Sequence, residues 1–331
     1  MSIPNTILFG AVFSLITALA GCSKSLPTIE ANSSIQLTEA VVLDAAFSRG
    51  NQRAFVLTQG PIFSVWDIST GEVLASIGPD QLAADTRSFA ISETEEQLLT
   101  NDGISMSLWR LDDFSLTGSI DFKQQLGDAH ITSMAFIADS VLVAGNSDGT
   151  VIFADIANQV FRQSHFHDNE VVKLLPGKNR SFLYSAGNDG KIVVTDLRDY
   201  SLQQEYSAPF RITSLVSNND NSLFFISDAL NRQVFWQPGQ NQVINKLDYW
   251  QQYRFFRLGM FIHNDAFLLT ASPKTEISLW DSDTGEERAS WQATSQSLGS
   301  MIMDIQQISE KQLITLTSDA VIETWNLETL F

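Results

Sequence analysis

The sequence predicts an all-β fold in which seven similar units close into a ring, and three observations carry that expectation. First, a two-residue ending recurs as Trp66-Asp67, Trp109-Arg110, Ala154-Asp155, Thr195-Asp196, Trp236-Gln237, Trp280-Asp281 and Trp325-Asn326, at intervals of 43, 45, 41, 41, 44 and 45 residues. Five of the seven Trp residues fall in that register, which chance scatter does not produce. Second, a short apolar run precedes each ending: Phe55-Val56-Leu57, Leu98-Leu99, Val141-Leu142-Val143, Phe182-Leu183-Tyr184, Leu223-Phe224-Phe225, Phe267-Leu268-Leu269 and Leu313-Ile314. Runs of that length bounded by polar turns are what strands buried on both faces look like. Third, turn residues punctuate the units, with Gly supplying the left-handed backbone that a tight turn needs.

A period of about 40–45 residues closing on Trp-Asp resembles the WD40 repeat, in which four antiparallel strands make one blade of a β-propeller. Trp66-Asp67-Ile68-Ser69-Thr70-Gly71-Glu72 recurs as Trp280-Asp281-Ser282-Asp283-Thr284-Gly285-Glu286, similar to the family's turn between its third and fourth strands. Gly145-Asn146-Ser147-Asp148-Gly149 and Gly187-Asn188-Asp189-Gly190 are similar to its turn between the second and third. The resemblance makes Trp66, Asp67, Trp109, Asp155, Asp196, Trp236, Trp280, Asp281 and Trp325 structural residues of the repeat. A ring of six or eight blades would follow if one repeat were misassigned.

The family's hydrogen-bond network among a His, a turn Asp and the Trp is depleted. Only His130 and His167 occupy the His position, with Asp148 and Asp189 as turn partners, and those two units carry Ala154 and Thr195 in place of Trp. Neither network can be complete, so strand packing is expected to hold the ring. Six residues follow Trp325-Asn326's first member, enough to finish a third strand and too few for a fourth. Ser34-Ile35-Gln36-Leu37-Thr38 alternates apolar and polar ahead of the first unit's opening strand (41–47), and is expected to pair onto the last blade as its outer strand. Joining both termini in one blade removes the open edges of a linear stack.

Ahead of the propeller, Ile7 to Gly21 is an uncharged, mainly apolar run of signal-peptide length, short for a membrane span. It ends at Leu19-Ala20-Gly21-Cys22, which resembles the lipobox of bacterial lipoproteins, and Cys22 is the only cysteine. The resemblance implies cleavage before Cys22, a diacylglycerol and an N-acyl chain on that residue, and, from Ser23, sorting to the outer membrane. Each buried methylene contributes about 0.8 kcal/mol to anchoring. Met1 to Thr6 lacks the Lys or Arg of an ordinary signal peptide, so either the amino terminus alone serves or the true start lies upstream. The expected organisation is a signal peptide over 1–21, a lipidated tether over 22–33 and a seven-bladed propeller over 34–331.

Composition narrows the partners. The chain of 331 residues carries 20 Lys+Arg against 38 Asp+Glu, a net charge of −18, which repels nucleic acid. Hydrophobic residues make up 44 % and charged residues only 18 %, below the roughly 25 % of an average soluble domain, so the chain is a folding one rather than a disordered one.

Motifs for chemistry are sparse. Gly145 to Gly149 matches the G-x-S-x-G nucleophile elbow, but a second apolar run follows it where the elbow needs a helix. His165-Phe166-His167-Asp168 offers two imidazoles that would need a third ligand to hold a metal. Asp281 to Gly285 resembles a calcium loop without its twelfth-position Glu. No catalytic residue, metal or cofactor is expected. The stretch Tyr249-Trp250-Gln251-Gln252-Tyr253-Arg254-Phe255-Phe256-Arg257 stands out, because aromatics and Arg are enriched at binding hot spots. Tyr249, Trp250, Tyr253 and Arg254 are therefore the candidate partner-binding residues, for an acidic or carboxylate-bearing peptide, with blade packing as the competing role for Phe255, Phe256 and Trp250.

Taken together, these features predict a non-enzymatic interaction scaffold, lipid-anchored on the periplasmic side of the bacterial outer membrane, or less expectedly the inner one, with an envelope protein as partner. The rival expectation is a periplasmic enzyme or small-ligand-binding protein that uses the central channel of the ring.

Overall fold

A computed structural model describes residues 26–251 and 253–331. Among these residues, twenty-eight strands form seven separate antiparallel sheets of four. The first blade comprises β2 (Val42–Phe47), β3 (Arg53–Thr58), β4 (Ile62–Asp67) and β5 (Val73–Ile77), and the second β6 (Ser88–Ile91), β7 (Gln97–Asn101), β8 (Ser105–Arg110) and β9 (Leu116–Asp121). The third holds β10 (Ile131–Ala138), β11 (Val141–Asn146), β12 (Thr150–Asp155) and β13 (Val160–His165), and the fourth β14 (Val171–Pro176), β15 (Phe182–Gly187), β16 (Lys191–Asp196) and β17 (Leu202–Ser207). The fifth holds β18 (Ile212–Ser217), β19 (Phe224–Asp228), β20 (Gln233–Gln237) and β21 (Gln242–Lys246), and the sixth β22 (Leu258–Ile262), β23 (Phe267–Ala271), β24 (Glu276–Asp281) and β25 (Glu287–Gln292). The seventh joins β26 (Ile302–Ser309), β27 (Gln312–Thr317) and β28 (Val321–Asn326) to β1 (Ala31–Gln36).

This is a seven-bladed β-propeller. The opening strands neighbour one another in cyclic order, β2 to β6, β10, β14, β18, β22 and β26, with β26 returning to β2, so they enclose a central channel. Every recurring pair read from the sequence occupies the last two positions of its blade's third strand. The ring closes as expected: β1 pairs with β28, with Ile35 opposite Ile322 and Gln36 opposite Val321. This outer strand begins at Ala31 rather than Ser34, so Ala31 to Ser33, assigned to the tether from sequence, belong to the sheet. Pro27 also touches the fold, its carbonyl accepting the Ser290 N–H at 3.1 Å.

The core lies between blades rather than inside one. Phe55, Leu57 and Phe63 of the first blade pack on Phe89, Leu98 and Trp109 of the second, and Phe225 and Phe235 of the fifth pack on Leu268 and Trp280 of the sixth. Across the closing seam, Ile314, Leu316 and Ile322 meet Ala45, Ala54 and Val56. A strand flanked by sheets on both sides reads as a continuous apolar run, which is why the second strands were visible in the sequence.

The repeated Trp residues are placed by hydrogen bonds as well as packing. Trp109, Trp280 and Trp325 donate Nε1–H to Thr100, Thr270 and Thr315 of the adjacent second strand at 3.0, 2.8 and 3.0 Å. Trp66 and Trp236 face Val56 and Ile226 at that position, and bond Ser64 (2.7 Å) and Asn241 (3.3 Å) instead. In the fourth blade the polar set survives without its Trp. His167 Nε2 lies 2.8 Å from Ser185 Oγ and Nδ1 3.2 Å from Asp189 Oδ1, while the buried Thr195 hydroxyl has no partner. His130 is exposed and engages Ser147 through its backbone alone, its N–H on Ser147 Oγ at 3.1 Å and its carbonyl accepting the Ser147 N–H at 2.9 Å.

Candidate functional site

Antiparallel order puts the connections between successive blades, and those between second and third strands, at one face of the ring. Trp250, Tyr253, Phe210 and Leu298 all sit on inter-blade connections of that face and are exposed. Trp250 is 98 % exposed and Tyr253 71 %. Exposed large apolar side chains on one face are candidates for an interaction surface.

The loop that carries two of them, between β21 and β22, is pinned from beneath. Arg254 is 8 % exposed, and its guanidinium forks onto Glu287 through two hydrogen bonds of 2.7 Å and donates a third, of 2.7 Å, to Ser278 Oγ. Its Cζ lies 4.9 Å from the centre of the Trp280 ring, a cation–π contact on one of the repeated Trp residues. Burial pulls the pKa of Arg254 down, and the Glu287 carboxylate reverses this, leaving it above the ordinary value. Tyr249 turns inward too. Its hydroxyl faces Gln233 Oε1 and the Arg254 carbonyl, and burial pushes its pKa up to about 12. Phe256 is buried, with its N–H on Ser227 Oγ at 3.0 Å. Of the four candidate partner-binding residues, Trp250 and Tyr253 are displayed, whereas Tyr249 and Arg254 hold the loop down. A buried ion pair satisfies the Arg254 charge internally, so it is not offered to a partner.

The repeat carboxylates are turn caps. Asp67 Oδ1 accepts the N–H groups of Ser69 and Thr70 at 2.8 and 2.9 Å, Asp155 that of Asn158, Asp196 that of Arg198 and Asp281 that of Thr284. These bonds favour the ionised form, and each pKa is lowered, that of Asp196 to about 2 by the Arg198 side chain. Gly71 and Gly285 complete two of these turns at φ +70° and +74°. A Cβ on Gly285 would lie 2.1 Å from the Lys246 carbonyl oxygen.

The remaining motifs also resolve into structure. Ser147 sits in the turn between β11 and β12, followed by a strand. His165 ends β13 exposed, beside Thr150 Oγ1 at 3.3 Å, while His167 is buried against Ser185, so the two imidazoles face different surroundings. Among the described residues, no three His, Cys, Asp or Glu side chains gather as a metal site would require. Leu19, Ala20, Gly21 and Cys22 lie outside the described residues, among which no helix is long and apolar enough to cross a membrane.

The channel wall holds residues that sequence reasoning missed. Asp44 and Asp304 occupy the same register position of β2 and β26, each just after a bulge. Each carboxylate accepts the N–H of its own following residue and one from the next blade. For Asp304 these are Ile305 and Phe47, both at 2.8 Å; for Asp44 they are Ala45 and Phe89, both at 3.0 Å. Burial pushes both pKa values up to about 6, with the backbone bonds and the Lys173 charge pulling the other way. The available signal was an Asp after two apolar residues at one place in the repeat, in Val42-Leu43-Asp44 and Ile302-Met303-Asp304. Lys173 occupies the equivalent position in β14.

At the same mouth, a cavity of about 720 Å³ opens between the fourth, fifth and sixth blades, lined by Lys173, Arg211, Arg257, Thr213, Phe255 and Asp304 among others. At the opposite mouth, Glu93 of the second blade pairs with both Arg49 of the first and Arg180 of the fourth, at 3.1 Å each, reaching past the short turn of the third. In comparisons with known proteins, no family model matches this chain and no curated protein matches it.

Proposed function

We propose that the protein is a non-enzymatic interaction scaffold, a divergent WD40-like propeller tethered through acylated Cys22 in the bacterial cell envelope. One observation carries the reading: Trp250 and Tyr253 stand in solvent on a loop whose base is fastened by the buried Arg254–Glu287 pair. Large aromatics presented on a rigid support lose little conformational entropy on docking and bury much area, which is what hot spots require. Propeller folds host many unrelated functions, so this surface, and not the architecture, points to the function. The Leu19 to Cys22 motif and Ser23 support an outer-membrane, periplasm-facing address.

Crosslinking and affinity capture of the full chain from intact envelopes, beside a Trp250→Ala/Tyr253→Ala variant, tests the scaffold. A stoichiometric partner lost with the variant supports it, and capture of the same proteins with both chains overturns this face. Arg254 is kept intact, since its loss would undermine the loop itself. For the anchor, Cys22→Ser is expected to leave the protein unacylated and released from membranes; an acylated, membrane-bound variant overturns that assignment.

A channel-binding role is the second reading, favoured by Asp44, Asp304 and Lys173 on the innermost strands. Both carboxylates already serve backbone N–H groups with each oxygen, which favours a structural role over acid–base work. A turnover that a chelator abolishes would have no place in the scaffold.

A further inference from the structure

We propose that the channel mouth between the fourth, fifth and sixth blades binds a carboxylate of an acidic, partly apolar peptide segment. The inference deepens the scaffold reading and rests on it, since it names the chemistry of the partner. Lys173 rises from β14, Arg211 directly precedes β18 and Arg257 directly precedes β22, so three different blades bring cations to one cavity. All three side chains are exposed. Among the described residues, no carboxylate oxygen lies within 4.0 Å of any of them, although nine other Lys and Arg residues are in ion pairs. In a chain with 38 acidic and only 20 basic residues, what sets these three apart from other unpaired cations is that they share one opening. Leaving them together is unfavourable unless an anion joins them.

Two carboxylates face this group, Asp304 in the cavity and Asp44 along the wall, and the Lys173 charge acts on both. Three cations against two carboxylates leave the mouth net positive, with the excess at the two rim guanidinium groups. A guanidinium fork matches a carboxylate through two parallel hydrogen bonds, and Thr213 and Asn188 add polar groups to the lining. Beside Ser214 and Ser217, the wall also carries apolar side chains in Phe255, Leu175, Val216 and Leu258, which suit an aliphatic side chain next to the carboxylate. Beyond the cavity the same face continues into exposed Phe210, Trp250 and Tyr253, so an extended occupant has further surface to cover.

The test is fluorescence anisotropy with the detergent-solubilised full chain and a labelled, C-terminally amidated peptide of alternating Glu and Leu. Its Gln-for-Glu counterpart and a free-carboxyl version are run alongside. Saturable binding is expected, weakened by about tenfold or more in the Gln peptide and in Arg211→Ala/Arg257→Ala, as for loss of charged hydrogen bonds. It should weaken with added salt and be unchanged in Lys123→Ala, a control in the short helix Lys123–Leu126 of another inter-blade connection. Stronger binding of the free-carboxyl version assigns the carboxylate to a chain terminus; equal binding assigns it to side chains, and both support the proposal. Equal affinity for the Gln peptide, or undiminished binding to the double arginine variant, overturns it. Displacement by equimolar inorganic phosphate also overturns it, since the site then takes free anions. Partner capture that depends on Trp250 and Tyr253 without probe binding overturns the mouth alone and leaves the scaffold standing. Probe binding without any captured partner supports the mouth and overturns the scaffold.

Discussion

Asp304 in the seventh blade accepts the backbone N–H of Phe47 in the first, at 2.8 Å, across the seam where the two ends of the chain meet. Asp44 repeats the contact one blade on, with Phe89 at 3.0 Å. Adjacent blades otherwise meet largely through apolar side chains, which set distance but little register. A carboxylate that bridges two opening strands adds a directional link at the join.

Asp304→Ala should therefore destabilise the ring at its seam. It strands the N–H groups of Phe47 and Ile305, and each buried unpaired donor costs about 1–3 kcal/mol. Urea unfolding should show a lower midpoint than the parent, and an unchanged midpoint would remove the link from the account.

The same carboxylates predict a pH dependence. Their folded pKa values of about 6 exceed the ordinary 3.8 of an Asp carboxyl, so across that window the native state holds protons that the unfolded chain releases. Their contribution to stability is thus largest below the unfolded pKa and is lost as pH rises through about 6. The stability of Asp44→Asn relative to the parent should rise between pH 4 and pH 6, and a flat difference would count against the raised pKa. His167 contributes with the opposite sign: burial lowers its pKa, so its part falls as pH drops below its unfolded value.

Breaking the pair beneath the aromatic loop should cost far more than removing the loop's tip. Glu287→Gln leaves the Arg254 charge buried without a full partner, a loss of roughly 3–5 kcal/mol for pairs of this kind. Trp250→Ala touches a side chain in solvent and should stay within about 0.5 kcal/mol of the parent. Thermal unfolding of both variants checks the contrast, and comparable losses would show that Trp250 packs on the fold.

Deleting residues 1–36 should open the ring. The deletion uncovers β28, including Ile322 and Trp325, and leaves an unpaired strand edge that templates association. Light scattering should report oligomers or aggregates, whereas a monomer with the parent's melting temperature would make β1 dispensable.

Much of the architecture was legible in sequence because the repeat is a local pattern. Each third-strand ending, from Trp66-Asp67 to Trp325-Asn326, follows a turn and an apolar run within its own unit, and the structure places all seven at equivalent positions. The closing strand was legible from the missing fourth strand and the alternation at Ser34 to Thr38, with its start displaced to Ala31. The candidate surface was legible only in part. Tyr249, Trp250, Tyr253 and Arg254 share one segment, but composition does not reveal that Arg254 turns inward to Glu287, 33 residues away.

The sequence by itself thus pointed to the repeat, its strands and the turns between them, since periodicity and turn chemistry act over a few residues, and the structure settled the count at seven blades. Only the tertiary structure decided which charges meet. Lys173, Arg211 and Arg257 lie about one repeat apart, and ring closure carries them to a single mouth, while the same closure buries Arg254 and sets Asp304 against Phe47. Those encounters depend on distances through space, which a one-dimensional pattern does not encode.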